Sequence, residues 1–263
     1  PIGIALKTAK PSADIHMVDR DALALAFTKE NAKLNNCEDI TIYGSLGYGA
    51  VSDTNFDLIV SNIPAKIGEA GLQSLLKDAQ HYLVPSGQVV VVVIDAIADF
   101  VQQLLESDSN ISILHHKSWP GHHVYHYEFI EANALSPSLT SPASATETIV
   151  PFVRGLQHFY FQEKQYELQV SFNLPEFDEL SYETNFLFKC LNIAKDKQNP
   201  PKKQEKMVFF NPGQGHVPLM YGKKYRPTEL HIVDRDLLAL ETTNHNLVAR
   251  ALQAIPHFQV GLD

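Results

Sequence analysis

Cysteine is almost absent from this chain. Cys37 and Cys190 are two in 263 residues, too few and too far apart for a disulfide framework or a metal-ligand spacing. A chain without crosslinks is at home in a reducing compartment, and a cytoplasmic setting is expected. Long apolar runs are also missing. The most apolar stretch, residues 89–94 (VVVVVI), has strand length, well short of the roughly 20 residues that span a bilayer. No membrane segment is expected, and no basic-then-apolar leader is visible. Basic charge is scarce: 21 Lys and Arg stand against 30 Asp and Glu, a net charge of −9. That balance argues against a general nucleic-acid coat, because phosphate contacts need Lys and Arg. It leaves room for an enzyme with one local basic face. The densest basic stretch, 195–206 (KDKQNPPKKQEK), carries a Pro pair and reads as a solvated loop. An initiating Met is lacking too. The chain starts at Pro1 and stops at Asp263 just after an apolar stretch, so a fragment of a longer protein is expected.

What is present alternates in strand and helix character. Strands are predicted at 15–18, 40–43, 56–60 and 88–94. Between them, Asp21 caps a helix running to about residue 35, with Leu23, Phe27 and Leu34 on one side. Another helix covers 71–82 and ends before a turn at Pro85-Ser86-Gly87, and a third covers 96–105. Segments 111–116 and 123–129 form a hairpin around Pro120-Gly121. This order predicts a mostly parallel sheet with helices on both faces, made mixed by the terminal hairpin. Residues 132–147 (ANALSPSLTSPASATE) read as a linker. Beyond it come a strand pair at 156–161 and 166–172, a helix at 182–192, and a strand at 207–210. There follow the segment NPGQGHVP with a short helix, a strand at 229–233, a helix to about 252, and a last strand at 258–260.

One stretch occurs twice. Residues 13–25 (ADIHMVDRDALAL) and 228–240 (TELHIVDRDLLAL) agree at eight of thirteen positions without a gap, and Thr28 and Asn31 match Thr243 and Asn246. Internal duplication explains this, since the match falls at the same point of two αβ patterns. Each copy places an Asp, Asp19 or Asp234, directly after an apolar strand. In doubly wound folds an acid there accepts hydrogen bonds from ribose hydroxyls, because a carboxylate offers two acceptor oxygens to two adjacent donors. The alternative for each is a helix cap or a solvated turn. Ahead of the second copy, a strand leads into Asn211-Pro212-Gly213-Gln214-Gly215. Gly213 and Gly215 let backbone approach a ligand at the start of the next helix. His216-Val217-Pro218 stand where a nicotinamide enzyme shows its third glycine, so the loop fits a smaller adenosine ligand better than a dinucleotide.

Other candidates are weaker. His115, His116, His122, His123 and His126 crowd the hairpin, but no Cys, Asp or Glu joins them at ligand spacing, so no metal is expected. Glu69 reads as a helix-start acid rather than a substrate contact. The aromatics of SWPGHHVYHY (118–127) read as packing, with base stacking as the alternative.

Several segments together resemble the tandem class I S-adenosylmethionine-dependent methyltransferases of the "methyltransferase small" group. FDLIVSNIPAKIGEAGL (56–72) resembles the fourth strand and its Asn-Pro-Pro-aromatic loop, and LVPSGQVVVVV (83–93) the following turn and fifth strand. NLPEFDELSYETNFLF (173–188) resembles the segment that precedes the catalytic domain, and FFNPGQGHVP (209–218) the glycine-rich cofactor loop. The resemblance implies a Rossmann-like α/β fold in two copies. It divides the chain into a degenerate first domain at 1–131, the linker at 132–147, and the N-terminal part of a second domain at 148–263. It also implies S-adenosyl-L-methionine as cofactor and ribosomal RNA guanine N2 as methyl acceptor. Asn211, Gly213, Gly215 and Asp234 would hold the cofactor, Asp19 would do so in the first copy, and Asn62 and Pro64 would receive the acceptor amine. The sequence departs from the pattern in two places. Asn211 stands where the family has an acid, and Ala65 stands where it has the stacking ring. Offset by 215, Pro1 falls on His216, so the first copy is expected to lack its glycine loop, and the second to stop before its own Asn-Pro-Pro-aromatic loop. A non-catalytic, methyltransferase-like RNA-recognition or scaffold module is the alternative, and an NAD-binding oxidoreductase a third. Oligomeric state is not legible.

Overall fold

A computed structural model describes residues 1–53, 55–131, 149–161, 164–193 and 205–262. The expected linker at 132–147 and most of the basic loop at 195–206 lie outside the described residues. The chain divides into two compact units. One combines Gly3–Leu46 with Ser144–Asp263, and the other is Gly47–Ala143. No described helix is long and apolar enough to cross a membrane.

The contiguous unit is built on a four-stranded mixed sheet. Its strands are β3 (Phe56–Asn62), β4 (Leu83–Ile94), β5 (Ile111–Trp119) and β6 (His122–Phe129), in the order β3-β4-β6-β5. β3 and β4 are parallel, and the other pairings are antiparallel, as the hairpin around Pro120-Gly121 requires. Val89, Val91 and Val93 alternate inward with Tyr125, Tyr127 and Phe129 and are buried, the period of two that one covered sheet face demands. Tyr125 donates its hydroxyl to Ala98 O in α4 (Asp95–Glu106), and Tyr127 to Leu76 O in α3 (Gly68–Lys77). Both helices therefore lie on the same face of this sheet, rather than one on each. Val90, Val92 and His126, on the opposite face, are half-buried. The expected turn at Pro85-Ser86-Gly87 is instead an irregularity within β4, where the register with β3 slips between Leu83 and Gln88 and Ser86 takes a φ of 65°.

Among the described residues the other unit holds three small sheets. β1 (His16–Asp19) and β2 (Thr41–Gly44) pair in parallel. α1 (Ile2–Ala9) and α2 (Ala22–Leu34) accompany them, and Ile4, Ala32, Cys37 and Ile40 form the local core. The inward positions of α2 are Leu25 and Ala32. Phe27 and Leu34, expected with Leu23 on one side of the helix, are exposed, because their positions fall away from the stripe that carries Leu25 and Ala32. β7 (Val153–Phe161) and β8 (Lys164–Ser171) form an antiparallel hairpin, followed by α5 (Tyr182–Ile193). The third sheet is parallel, in the order β11-β10-β9, from β9 (Lys206–Phe210), β10 (Glu229–Asp234) and β11 (Ile255–Phe258). α6 (His216–Tyr225) and α7 (Leu237–Val248) connect its strands. The final helix stops at Val248 rather than near 252, and β11 ends at Phe258 instead of beginning there. Phe159, Tyr166, Leu168 and Val170 of the hairpin share one core with Leu219, Ile232, Leu240 and Leu247.

Candidate functional site

The loop between β9 and α6 is held by side-chain amides. Gln214 is fully buried, and its amide bonds both backbone groups of Ser171. Oε1 accepts Ser171 N–H at 3.0 Å, and Nε2 donates to Ser171 O at 3.1 Å. Asn246 of α7 repeats the arrangement two residues earlier along β8. Its Oδ1 accepts Gln169 N–H at 2.9 Å, and its Nδ2 donates to Gln169 O at 2.8 Å and to Gln214 O at 2.9 Å. Two amides thus take the place of a neighbouring strand along β8, which satisfies backbone groups that burial would otherwise penalise. Thr243 donates to Gly213 O at 3.0 Å, and Thr242 and Ser171 pair their hydroxyls at 2.8 Å.

Within this frame the loop conformation is fixed. Asn211, Gly213 and Gly215 all have positive φ, of 51°, 59° and 95°. Asn is the side chain that best tolerates that region, while Gly215 has a second reason to be glycine. A Cβ there would sit 3.3 Å from Thr243 Cα. Gly215 also caps α6, which has no side-chain cap and no acid in its first turn, so its leading N–H groups carry an uncompensated positive end. Beyond it, His216 is buried. Tyr166 OH stands 3.1 Å from Nδ1, and Glu176 O lies 3.3 Å from Nε2, an arrangement suited to a neutral ring that accepts at Nδ1 and donates at Nε2. Burial depresses the His216 pKa, with the Glu176 carboxylate opposing. Burial also works against ionised Glu176, but hydrogen bonds from Ser181 and Thr184 outweigh it and keep that carboxyl below its ordinary pKa.

Asp234 ends β10 beside this loop, where Asn211 N–H donates to Val233 O at 2.9 Å. Its Oδ1 accepts Asp236 N–H at 2.9 Å, and Asp236 in turn caps α7 by accepting Leu238 N–H. Asp234 is 6% exposed, and burial raises its pKa. Asp19 has the same turn, with Oδ1 accepting Asp21 N–H at 2.9 Å and Asp21 capping α2 through Leu23 N–H, but it is exposed. The structure thus gathers Asn211, Gly213, Gly215 and Asp234 in one place, and Asp19 lies in the same compact unit. Asn62 and Pro64 belong to the other unit. Asn62 is exposed at the end of β3, and the chain then anchors Ile63 N–H on Val92 O.

Residues 1–117 match the methyltransferase small domain family. The chain is similar to the class I methyltransferases of that group. Among these methyltransferase relatives, ribosomal RNA small subunit methyltransferase C of Aliivibrio fischeri is 35% identical over 95 residues, 35% of this chain and 27% of that protein. An uncharacterized Bacillus subtilis protein, YbxB, is 29% identical over 94 residues, 35% of this chain and 47% of YbxB. A Thermus thermophilus 16S rRNA N2 methyltransferase, solved with AdoMet and guanosine, superposes with a TM-score of 0.64 at 14% identity, over 97% of this chain and 62% of that one. The α/β methyltransferase-like fold with a mixed sheet is therefore shared, and the chain spans less than half the length of either curated relative.

Sequence reasoning missed Gln214, Asn246, Thr243 and Tyr166 as the frame of the loop. The agreement of Thr28 and Asn31 with Thr243 and Asn246 was a signal for two of them. Asn31 is exposed, whereas Asn246 is buried and bonded to Gln169 and Gln214, so of the two matching asparagines it is Asn246 whose side chain frames the loop. Among the hairpin histidines one pair forms, and His123 of that pair also faces Asp95 Oδ1 at 3.5 Å. His116 and His123 meet at 3.1 Å and stack on Tyr125, and His126 bonds Gln88. Among the described residues no group of three or more His, Cys, Asp or Glu is arranged to hold a metal ion. Glu69 sits in the first turn of α3, and Trp119 is exposed beneath the Lys117 ammonium, 4.5 Å from its ring.

Proposed function

We propose that this chain is part of an S-adenosylmethionine-dependent methyltransferase acting on ribosomal RNA, with guanine N2 as the acceptor. The observation that carries the reading is the amide-locked loop 211–215, set between a strand and an uncapped helix start, with Asp234 at the end of the adjoining strand. The site chemistry fits that cofactor. Gly213 and Gly215 hold the loop in a positive-φ path that would run along the methionine side. The N-terminus of α6 favours a carboxylate, and Asp234 offers acceptors to ribose hydroxyls. When bound, the cofactor supplies a methyl group on a sulfonium, already a good leaving group. The chain's part is to bind, to orient and to fix the acceptor amine. Asn62 and Pro64 would hold that amine, and Asp19 would bind ribose in the first copy. Asn211 orients the loop without adding negative charge. The matching turns at Asp19 and Asp234 support a duplication, with a first domain at 1–131, a linker at 132–147 and a second domain at 148–263.

Calorimetry with S-adenosylmethionine, S-adenosylhomocysteine and NAD tests the cofactor, and nucleoside analysis of ribosomal RNA incubated with labelled methyl donor tests the acceptor. Binding of the two sulfur ligands but not NAD, with label in N2-methylguanosine, is expected. Failure to bind any of the three would sink the reading. A second reading, a non-catalytic RNA-recognition or scaffold module, draws on Ala65, which offers no ring for a base to stack on. It predicts RNA binding without methyl incorporation.

A further inference from the structure

The two Val-Asp-Arg-Asp corners meet inside one compact unit, related by an approximate exchange of partners. Asp21 and Asp236 form an antiparallel bridge. Ala22 N–H donates to Arg235 O at 2.8 Å, and Leu237 N–H donates to Arg20 O at 3.0 Å. Each arginine reaches the other copy's helix cap, but unequally. Arg20 Nη2 lies 3.1 Å from Asp236 Oδ2, with both side chains about a quarter exposed. Arg235 Nε lies 3.5 Å from Asp21 Oδ2 in a more open setting. Arg20 Nη2 also approaches Asn173 O at 3.5 Å. Asn173 opens a segment in which it and Glu176 both have a φ of 61°, and whose Pro175 lies against Gly213.

We propose that Arg20, although it belongs to the first copy, is a positioning residue for the Asp234 corner of the second. Asp236 uses one oxygen to cap α7, gives its N–H to Asp234 and takes the Arg20 guanidinium on its other oxygen. The guanidinium therefore fixes the carboxylate through which the cap and the turn of Asp234 are set. The same group holds the 173–176 segment beside the glycine loop. Burial raises the Asp236 pKa, and Arg20 is the strongest influence opposing that rise. The role rests on the reading of Asp234 as a ribose acceptor.

A double-mutant cycle on the whole chain, read by calorimetric titration with S-adenosylmethionine, tests it. Arg20→Leu is expected to weaken binding about tenfold, or about 1.4 kcal/mol. Asp236→Asn, which keeps the cap but loses the charge, should do about the same. The double variant should be little worse than either single one, because both remove the same link. Arg20→Lys should recover part of the loss. Asp21→Asn, the matching change on the first copy's corner, should stay within twofold of the unmodified chain. Thermal unfolding of each variant separates binding loss from unfolding. Arg20→Leu binding within twofold of wild type, or additive losses in the double variant, would refute the role while leaving the cofactor reading intact. No binding by the unmodified chain overturns the cofactor reading, and this role with it.

Discussion

Asn246→Asp replaces one nitrogen by oxygen, opens no cavity and reverses two hydrogen bonds. The native amide donates to Gln169 O at 2.8 Å and to Gln214 O at 2.9 Å while accepting Gln169 N–H. The carboxylate keeps only the accepted bond and sets an oxygen against two carbonyl oxygens in a position 4% exposed. Each buried carbonyl left without a donor costs about 1–3 kcal/mol. The new acid can escape part of this by staying protonated and donating once. At pH 7 that costs at most about 1.4 kcal/mol for each of the three pH units above a free Asp, near 4 kcal/mol. The expected destabilisation is therefore about 3–5 kcal/mol at pH 7. The sign with pH follows. The introduced carboxyl has a folded pKa above its unfolded value, so its protonated form favours folding below about pH 4, and that contribution is lost as pH rises through the folded pKa. The deficit relative to the unmodified chain should shrink to about 2–4 kcal/mol near pH 4.5, where protonation costs only about 1 kcal/mol and leaves one carbonyl without a donor. Urea unfolding of both proteins at pH 4.5, 5.5 and 7 measures it. A deficit below about 1 kcal/mol at pH 7, or one that does not change with pH, would refute the claim that this amide replaces a strand neighbour.

Three further outcomes follow from the same site. Gly215→Ala puts a Cβ 3.3 Å from Thr243 Cα at a φ of 95°, and a loss of about 1–3 kcal/mol in denaturant unfolding is expected, with a weakened affinity for S-adenosylmethionine in titration. Asp234→Asn keeps an acceptor for Asp236 N–H but replaces the other carboxylate oxygen by an NH2 donor, so about a tenfold loss of affinity is expected with little change in thermal midpoint; an unchanged affinity would count against ribose recognition there. The depressed His216 pKa makes the neutral ring a stabilising element above the unfolded value of about 6.5, lost as pH falls through the lower folded value. Unfolding measured from pH 7.5 to pH 5 should therefore show a decline that His216→Gln reduces.

The strands and helices were legible where their pattern was local. Residues 89–94 are apolar throughout, and Asp21 is a cap followed by helix formers; both behave as read. The loop 211–215 was legible through its glycines and its distance from Asp234. Less legible was what depended on other segments. Ser86 sits in a strand because β3 pairs on either side of it, and no short-range rule for Pro-Ser-Gly reports that. Phe27 and Leu34 look like core residues by type, and only the packing of α2 shows them outward. Gln214 reads as an ordinary loop polar residue until β8, some forty positions earlier, is placed beside it. The cross-corner pairing of Arg20 with Asp236 spans more than two hundred residues, and nothing in either stretch alone announces it.

The division of the chain has a consequence for the order in which it is made. The unit formed by Gly47–Ala143 is continuous, so its sheet can close as soon as those residues leave the ribosome. The other unit is assembled from both ends. β1 and β2 are synthesised early, yet the Asp21 bridge waits for Asp236. Until then the first corner's Ala22 N–H and Arg20 carbonyl lack the partners they hold in the finished fold. A nascent chain halted before residue 229 should therefore protect the sheet at 56–129 from protease while leaving the Asp19–Asp21 turn open to cleavage, and release of the full length should close it.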